Sequence, residues 1–124
     1  MIVIESMNHF GITVSNLEKA IKFYKDLFDF EIVDQITNVG KAILQITDIR
    51  ISLYEVEGYQ NSDEARNIIS FHVDEEDFED ALDELEKMEV QIISGPENIK
   101  NGKTVTFVDP DNNKIELSYP KFSG

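Results

Sequence analysis

The sequence predicts an α+β fold built from two βαβββ modules in tandem. In residues 8–24 and again in residues 66–85, an alternating polar and apolar stretch runs into a segment whose apolar residues recur at helical spacing. Aligning Val14-Ser15 with Val73-Asp74 brings the two copies into register, so that His9 matches Ile68. A repeat of this kind indicates one supersecondary unit that is used twice.

In the first module we expect a strand at 8–14 and a helix at 15–29. Ser15 and Glu18 have the spacing of a capping box, in which Ser15 caps the helix and Glu18 bonds back to the cap. The segments that follow are rich in Ile and Val and are broken by the turn signals Asn38-Val39-Gly40 and Asp48. They predict three further strands, at 30–36, 41–47 and 49–56.

The second module follows a linker at 57–66, which carries Gly, Asn, Ser and Asp without any periodicity. A strand at 67–73 precedes a helix at 75–88, which Asp74 can cap. Strands are expected at 90–93, 103–108 and 114–119, with a loop through Gly95-Pro96 and a turn at 109–113. We therefore expect a single domain over 1–124, with modules at about 7–56 and 67–120.

Composition limits the classes of function. A chain of 124 residues is large enough to form a core without disulfides, and it contains no cysteine for a thiol nucleophile or a thiolate metal site. Its net charge of −14 repels nucleic acid and anionic lipid, and no apolar run reaches the ~20 residues of a membrane span. We expect a cytoplasmic protein that binds neither nucleic acid nor membrane. The acids of the second helix are interpreted as a solvated face, with an acidic docking surface as the alternative.

Alternation along the strands divides their side chains into two faces. The apolar face is expected to pack on the helices. The opposite face carries hydroxyls, both histidines and a single carboxylate, where a water-exposed sheet of so acidic a protein would carry Lys, Glu and Asp. We interpret it as the polar lining of a cavity. The predicted ligand-binding residues are Thr13, Ser52, Tyr54, Ser70, His72 and Thr106.

Two segments carry a resemblance to a known family. The opening His9-Phe10-Gly11-Ile12-Thr13-Val14-Ser15-Asn16-Leu17-Glu18 and the closing stretch from Phe107 to Leu117 resemble the vicinal oxygen chelate superfamily. That superfamily includes glyoxalase I, bleomycin-resistance proteins, extradiol dioxygenases and methylmalonyl-CoA epimerase. The resemblance implies paired βαβββ modules that curl their sheets around a cleft. It also implies completion of the cleft by module pairing within or between chains, and we expect a homodimer.

The resemblance also implies where a metal would bind. In metal-using members the ligands come from the first and fourth strands of both modules. His9 and Glu116 match two of these positions, whereas Ser52 and Ile68 stand at the other two. We expect a divalent metal (Ni, Zn, Mn or Fe) to be held weakly by His9 and Glu116 or not at all, since two protein ligands bind less well than three or four.

Two classes of function follow. The first is a small-molecule-binding protein of the glyoxalase and bleomycin-resistance type with an incomplete metal site. The second is a metal-dependent lyase, isomerase or dioxygenase that uses His9 and Glu116, or Glu116 alone as a catalytic base. The sequence contains no phosphate loop, no Ser-His-Asp order and no dinucleotide fingerprint, so it offers no support for acyl transfer, kinase or dinucleotide chemistry.

Overall fold

The computed structural model describes residues 1–121, and the chain divides into two compact units, Met1–Gln60 and Asn61–Gly124. Each unit contains one four-stranded sheet and one α-helix. The α+β fold of two tandem βαβββ modules is therefore confirmed. Within residues 1–121, none of the helices has the length and apolar character needed to cross a membrane.

Unit 1 follows the predicted order of elements. Its strand order is β1-β4-β3-β2, in which β1 pairs with β4 in parallel and the other neighbours are antiparallel. A short 3-10 helix, Thr37–Val39, joins β2 to β3. The elements are β1 Phe10–Val14, α1 Leu17–Phe28, β2 Glu31–Ile36, β3 Lys41–Ile46 and β4 Ile49–Glu55.

The predicted capping box of α1 is wrong. Asn16 is the cap residue, and its side chain accepts a hydrogen bond from the Lys19 backbone N–H at 2.9 Å. The backbone N–H of Leu17 donates at 2.7 Å to Oε2 of Glu55, at the end of β4. A carboxylate is well placed at this end of a helix, where unpaired N–H groups and the helix dipole favour negative charge. Glu18 accepts from the Gln35 side chain instead of reaching back to the cap.

Unit 2 repeats this arrangement with the strand order β5-β8-β7-β6, and β5 is parallel to β8. Asp74 precedes α2 as predicted, although its side chain makes no capping hydrogen bond. The acidic residues in the first turn of α2 are exposed, as expected of a solvated face. The elements are β5 Ile68–His72, α2 Glu75–Lys87, β6 Ile92–Ile99, β7 Gly102–Val108 and β8 Lys114–Tyr119.

Strand β6 differs from the prediction of a strand at 90–93 followed by a loop. It extends through Gly95-Pro96, and its pairing with β7 shifts register between Ile92 and Ser94 and again between Ser94 and Glu97. Bulges of this kind accommodate Gly and Pro. Proline has no backbone N–H to donate, and an edge strand tolerates it because one side of the strand has no partner strand. The strand is therefore longer than its local sequence indicates.

The core of each unit lies between the helix and the apolar face of the sheet. In unit 1 the strand register aligns Ile12 with Leu53 and Leu53 with Ala42. In unit 2 it aligns Ile69 with Ile115 and Ile115 with Phe107. The inner members of these rows are fully buried: Ala42, Leu53, Phe107 and Ile115. Phe10, which alternation along β1 assigns to the apolar face with Ile12 and Val14, is 41% exposed, so the start of β1 is covered incompletely.

The turn before β8 holds part of the predicted linker. Asp109 is buried, and its Oδ1 accepts hydrogen bonds from the backbone N–H groups of Asp111 and Asn113, both at 2.9 Å. The side chain of Asn112 donates to the carbonyl oxygen of Asn61 at 3.0 Å, and the side chain of Asn61 donates back to the carbonyl oxygen of Asn112. This reciprocal pair of hydrogen bonds attaches the start of unit 2 to the turn between β7 and β8.

Candidate functional site

The polar face of unit 2 forms two rows across its sheet. Strand register places Ser70 beside Glu116 and Glu116 beside Thr106. The Ser70 hydroxyl donates a short hydrogen bond of 2.6 Å to Oε1 of Glu116. In the next row, His72 lies beside Ser118, and its Nε2 is 3.6 Å from Oδ1 of Asp74. Unit 2 thus brings the predicted residues Ser70, His72, Thr106 and Glu116 onto one face.

The corresponding face of unit 1 is more mixed. One row runs from Gly11 through Ser52 to Ile43, and the next runs from Thr13 through Tyr54 to Lys41. Ser52 is fully buried, and its hydroxyl lies 2.8 Å from Nδ1 of His9. Unit 1 therefore brings together Thr13, Ser52 and Tyr54 and adds His9 through a hydrogen bond, with Ile43 as an apolar member of the face.

Sequence reasoning missed the surroundings of Tyr54. The Nζ of Lys41 lies over the Tyr54 ring, 5.4 Å from its centroid. A Cβ added to Gly11 would lie 3.2 Å from Cε2 of the same ring, so any larger residue at position 11 would crowd the ring. Pairing β3 with β4 as a hairpin around Asp48 would have placed Lys41 opposite Tyr54. The sequence predicts both strands and the turn at Asp48 between them, so the register of this pair is the signal that could have found the contact.

Strand register confirms the expected equivalence of positions in the two units. Gly11 pairs with Ser52 in unit 1, and Ser70 pairs with Glu116 in unit 2. Ser52 and Glu116 are therefore equivalent, and residue 68 corresponds to residue 9. Of these four positions, only His9 and Glu116 carry imidazole or carboxylate donors of the type that commonly bind divalent metals. Ser52 offers a hydroxyl, and Ile68 offers no donor atom.

Comparison with protein families identifies the relationship. The family model for the Glyoxalase/Bleomycin resistance protein/Dioxygenase superfamily matches residues 6–117. The metallothiol transferase FosB of Staphylococcus epidermidis is 34% identical over 117 residues, which are 92% of this chain and 81% of that protein. The glutathione transferase FosA of Serratia marcescens is 31% identical over 125 residues, covering 93% of this chain and 81% of FosA.

Solved structures show the same fold. The fosfomycin resistance protein FosX from Listeria monocytogenes superposes with a TM-score of 0.84 at 21% identity, covering 97% of each chain. An E126Q variant of that protein, solved with Mn(II) and 1S,2S-dihydroxypropylphosphonic acid, superposes with a TM-score of 0.81 at 21% identity, covering 93% of this chain and 90% of the variant. These likenesses are to the fold alone. The shared fold agrees with the resemblance carried by the two end motifs of the sequence. Because the family model matches residues 6–117, the chain belongs to the Glyoxalase/Bleomycin resistance protein/Dioxygenase superfamily.

Proposed function

We propose that the protein binds a small anionic molecule of the fosfomycin type on the polar face of the unit 1 sheet. The observation that carries the proposal is the row Thr13–Tyr54–Lys41 in unit 1, in which a hydroxyl and an ammonium group flank an aromatic ring. The relatives named for metallothiol or glutathione transfer and for fosfomycin resistance support this class of ligand. In so acidic a protein, an anion also requires a local positive group, and Lys41 beside Tyr54 supplies one.

Binding of fosfomycin is expected to depend on Lys41. A charge-assisted hydrogen bond contributes about 1.5 to 3 kcal/mol, so Lys41→Met should weaken fosfomycin binding by about tenfold or more in isothermal titration calorimetry. Lys19→Met is the matched control, because it removes the same charge from an exposed position on α1 of the same unit. An equal loss in both variants would indicate an effect of net charge and contradict a binding role for Lys41. Absence of fosfomycin binding by the parent, with and without Mn²⁺, would overturn the proposed function.

A second candidate is a metal-dependent enzyme, and the presence of both His9 and Glu116 favours it. In that case His9 and Glu116 would supply ligands for a divalent ion (Ni, Zn, Mn or Fe), and Glu116 could also serve as a base. Incubation with fosfomycin, Mn²⁺ and glutathione, followed by mass spectrometry, distinguishes the candidates. A thiol adduct or dihydroxypropylphosphonic acid that disappears with chelator would establish the enzyme. Unchanged fosfomycin, together with measurable binding, supports the binding protein.

We further propose that the protein acts as a cytoplasmic homodimer. The supporting feature is the apolar segment at the start of the chain, where Met1, Ile2, Val3, Ile4 and Met7 are each at least 74% exposed. Exposed apolar side chains grouped in this way are typical of an interaction surface. Light scattering at micromolar concentration is expected to give the mass of two chains, and removal of residues 1–4 should shift it toward one. A monomeric parent would contradict the proposal.

A further inference from the structure

We infer that this protein binds its small-molecule ligand without a resident divalent metal, because unit 2 has an isoleucine at one metal-binding position and because its carboxylate already accepts a hydroxyl group on one oxygen. The inference rests on the proposed function, since it concerns whether ligand binding by this protein involves a metal. Two observations within unit 2 carry it: the surroundings of Ile68 and the partner of Glu116.

Ile68 occupies the position in unit 2 that His9 occupies in unit 1. It begins β5, lies on the polar face together with Ser70, and is 42% exposed. Its partner on β8 is Lys114, whose ammonium group donates to the carbonyl oxygen of Ser62 at 2.9 Å. A cation at this place would meet a side chain with no donor atom and a neighbouring positive charge, and both features oppose metal binding.

Glu116 is already partnered. Its Oε1 accepts the Ser70 hydroxyl at 2.6 Å, which is within the range of charge-assisted O–H···O⁻ bonds. The equivalent of Ser70 in unit 1 is Gly11, which has no side chain to offer. The hydroxyl is therefore present in the unit that carries the carboxylate. It orients Glu116 and stabilises its charge.

The geometry also indicates how a site could be restored. Ile68 is two residues from Ser70 on β5, so it is a diagonal neighbour of Glu116 on the same face, about 7 Å away along the strand. A histidine at position 68 would place an imidazole and the Glu116 carboxylate on one surface, within reach of a common ion. Ile99 is the matched control, because it is 43% exposed and lies on another strand of the same unit.

The test measures metal rather than activity. After dialysis against chelator, parent, Ile68→His and Ile99→His are titrated with Mn²⁺ and Zn²⁺ by calorimetry, and their melting temperatures are recorded with and without metal. We expect no metal-dependent melting shift in the parent or in Ile99→His. Ile68→His should bind the metal at least about tenfold more tightly than the parent does, since even residues that only hydrogen-bond to a metal ligand change metal affinity by about that factor. It should also melt at a higher temperature in the presence of metal.

Two results would overturn the inference. The first is a parent that retains one metal per chain through dialysis and loses it on His9→Ala. The second is a folded Ile68→His variant, checked by circular dichroism, that gains no metal affinity. If that variant does not fold, Ile68→Cys replaces it, with Ile99→Cys as control. Co²⁺ then reports thiolate coordination by its absorption, because the parent has no cysteine. Fosfomycin titration in chelator tests the proposed function separately, since a failure to bind there leaves the metal results standing.

Discussion

Replacing Gly102 by alanine is expected to lower the free energy of unfolding by about 3 kcal/mol or more, a large fraction of the roughly 5–15 kcal/mol that stabilises a typical domain. Gly102 begins β7, and a Cβ at this position would overlap the carbonyl oxygen of Tyr119 on β8. The obstacle is backbone rather than a flexible side chain, so the two strands would have to separate. Urea denaturation followed by circular dichroism measures the loss.

Gly58→Ala is the control for this prediction. Gly58 has a φ of +78°, and nothing lies within 4 Å of an added Cβ. Its substitution therefore costs only the strain of a left-handed conformation, about 1 kcal/mol. If both variants lose the same free energy of unfolding, then the close approach of β7 and β8 does not account for the destabilisation by Gly102→Ala.

The second prediction with a large effect compares substitutions on the two faces of β4. Leu53 is fully buried on the helix-facing side, and Leu53→Ala is expected to cost about 3 kcal/mol through lost burial and the cavity left behind. Its neighbour Ser52 faces the polar side, where its hydroxyl lies 2.8 Å from His9 Nδ1. Ser52→Ala should cost about 1 kcal/mol or less in stability but weaken fosfomycin binding, because His9 loses the partner that holds its ring.

These two variants also test which face binds the ligand. Leu53→Ala should bind fosfomycin normally once titrations are corrected for the folded fraction. A folded Leu53→Ala that has lost binding, beside a Ser52→Ala that retains it, would show that the faces are assigned wrongly. Urea denaturation supplies the folded fraction, and calorimetry supplies the affinity.

Local sequence patterns were sufficient to predict the structure where the determining interactions lie between residues close in the chain. Alternation placed Ser70, Thr106 and Glu116 on one face, and the internal repeat predicted both βαβββ modules. The same reasoning failed at the start of α1, where Asn16 caps the helix and Glu55 arrives from β4. It also failed at β6, because the bulges that carry the strand through Gly95-Pro96 form against β7.

By itself, the sequence determined the fold class, the order of elements and the residues that line each sheet, because periodicity and turn chemistry act over a few neighbouring residues. Tertiary structure alone decided the partners of the candidate site residues. Ser52 meets His9 across 43 positions, and Ser70 meets Glu116 across 46. Such pairs depend on the register of strands that are distant in the chain. A shift of one residue would reverse the faces, so the partners are set only when the whole sheet is assembled.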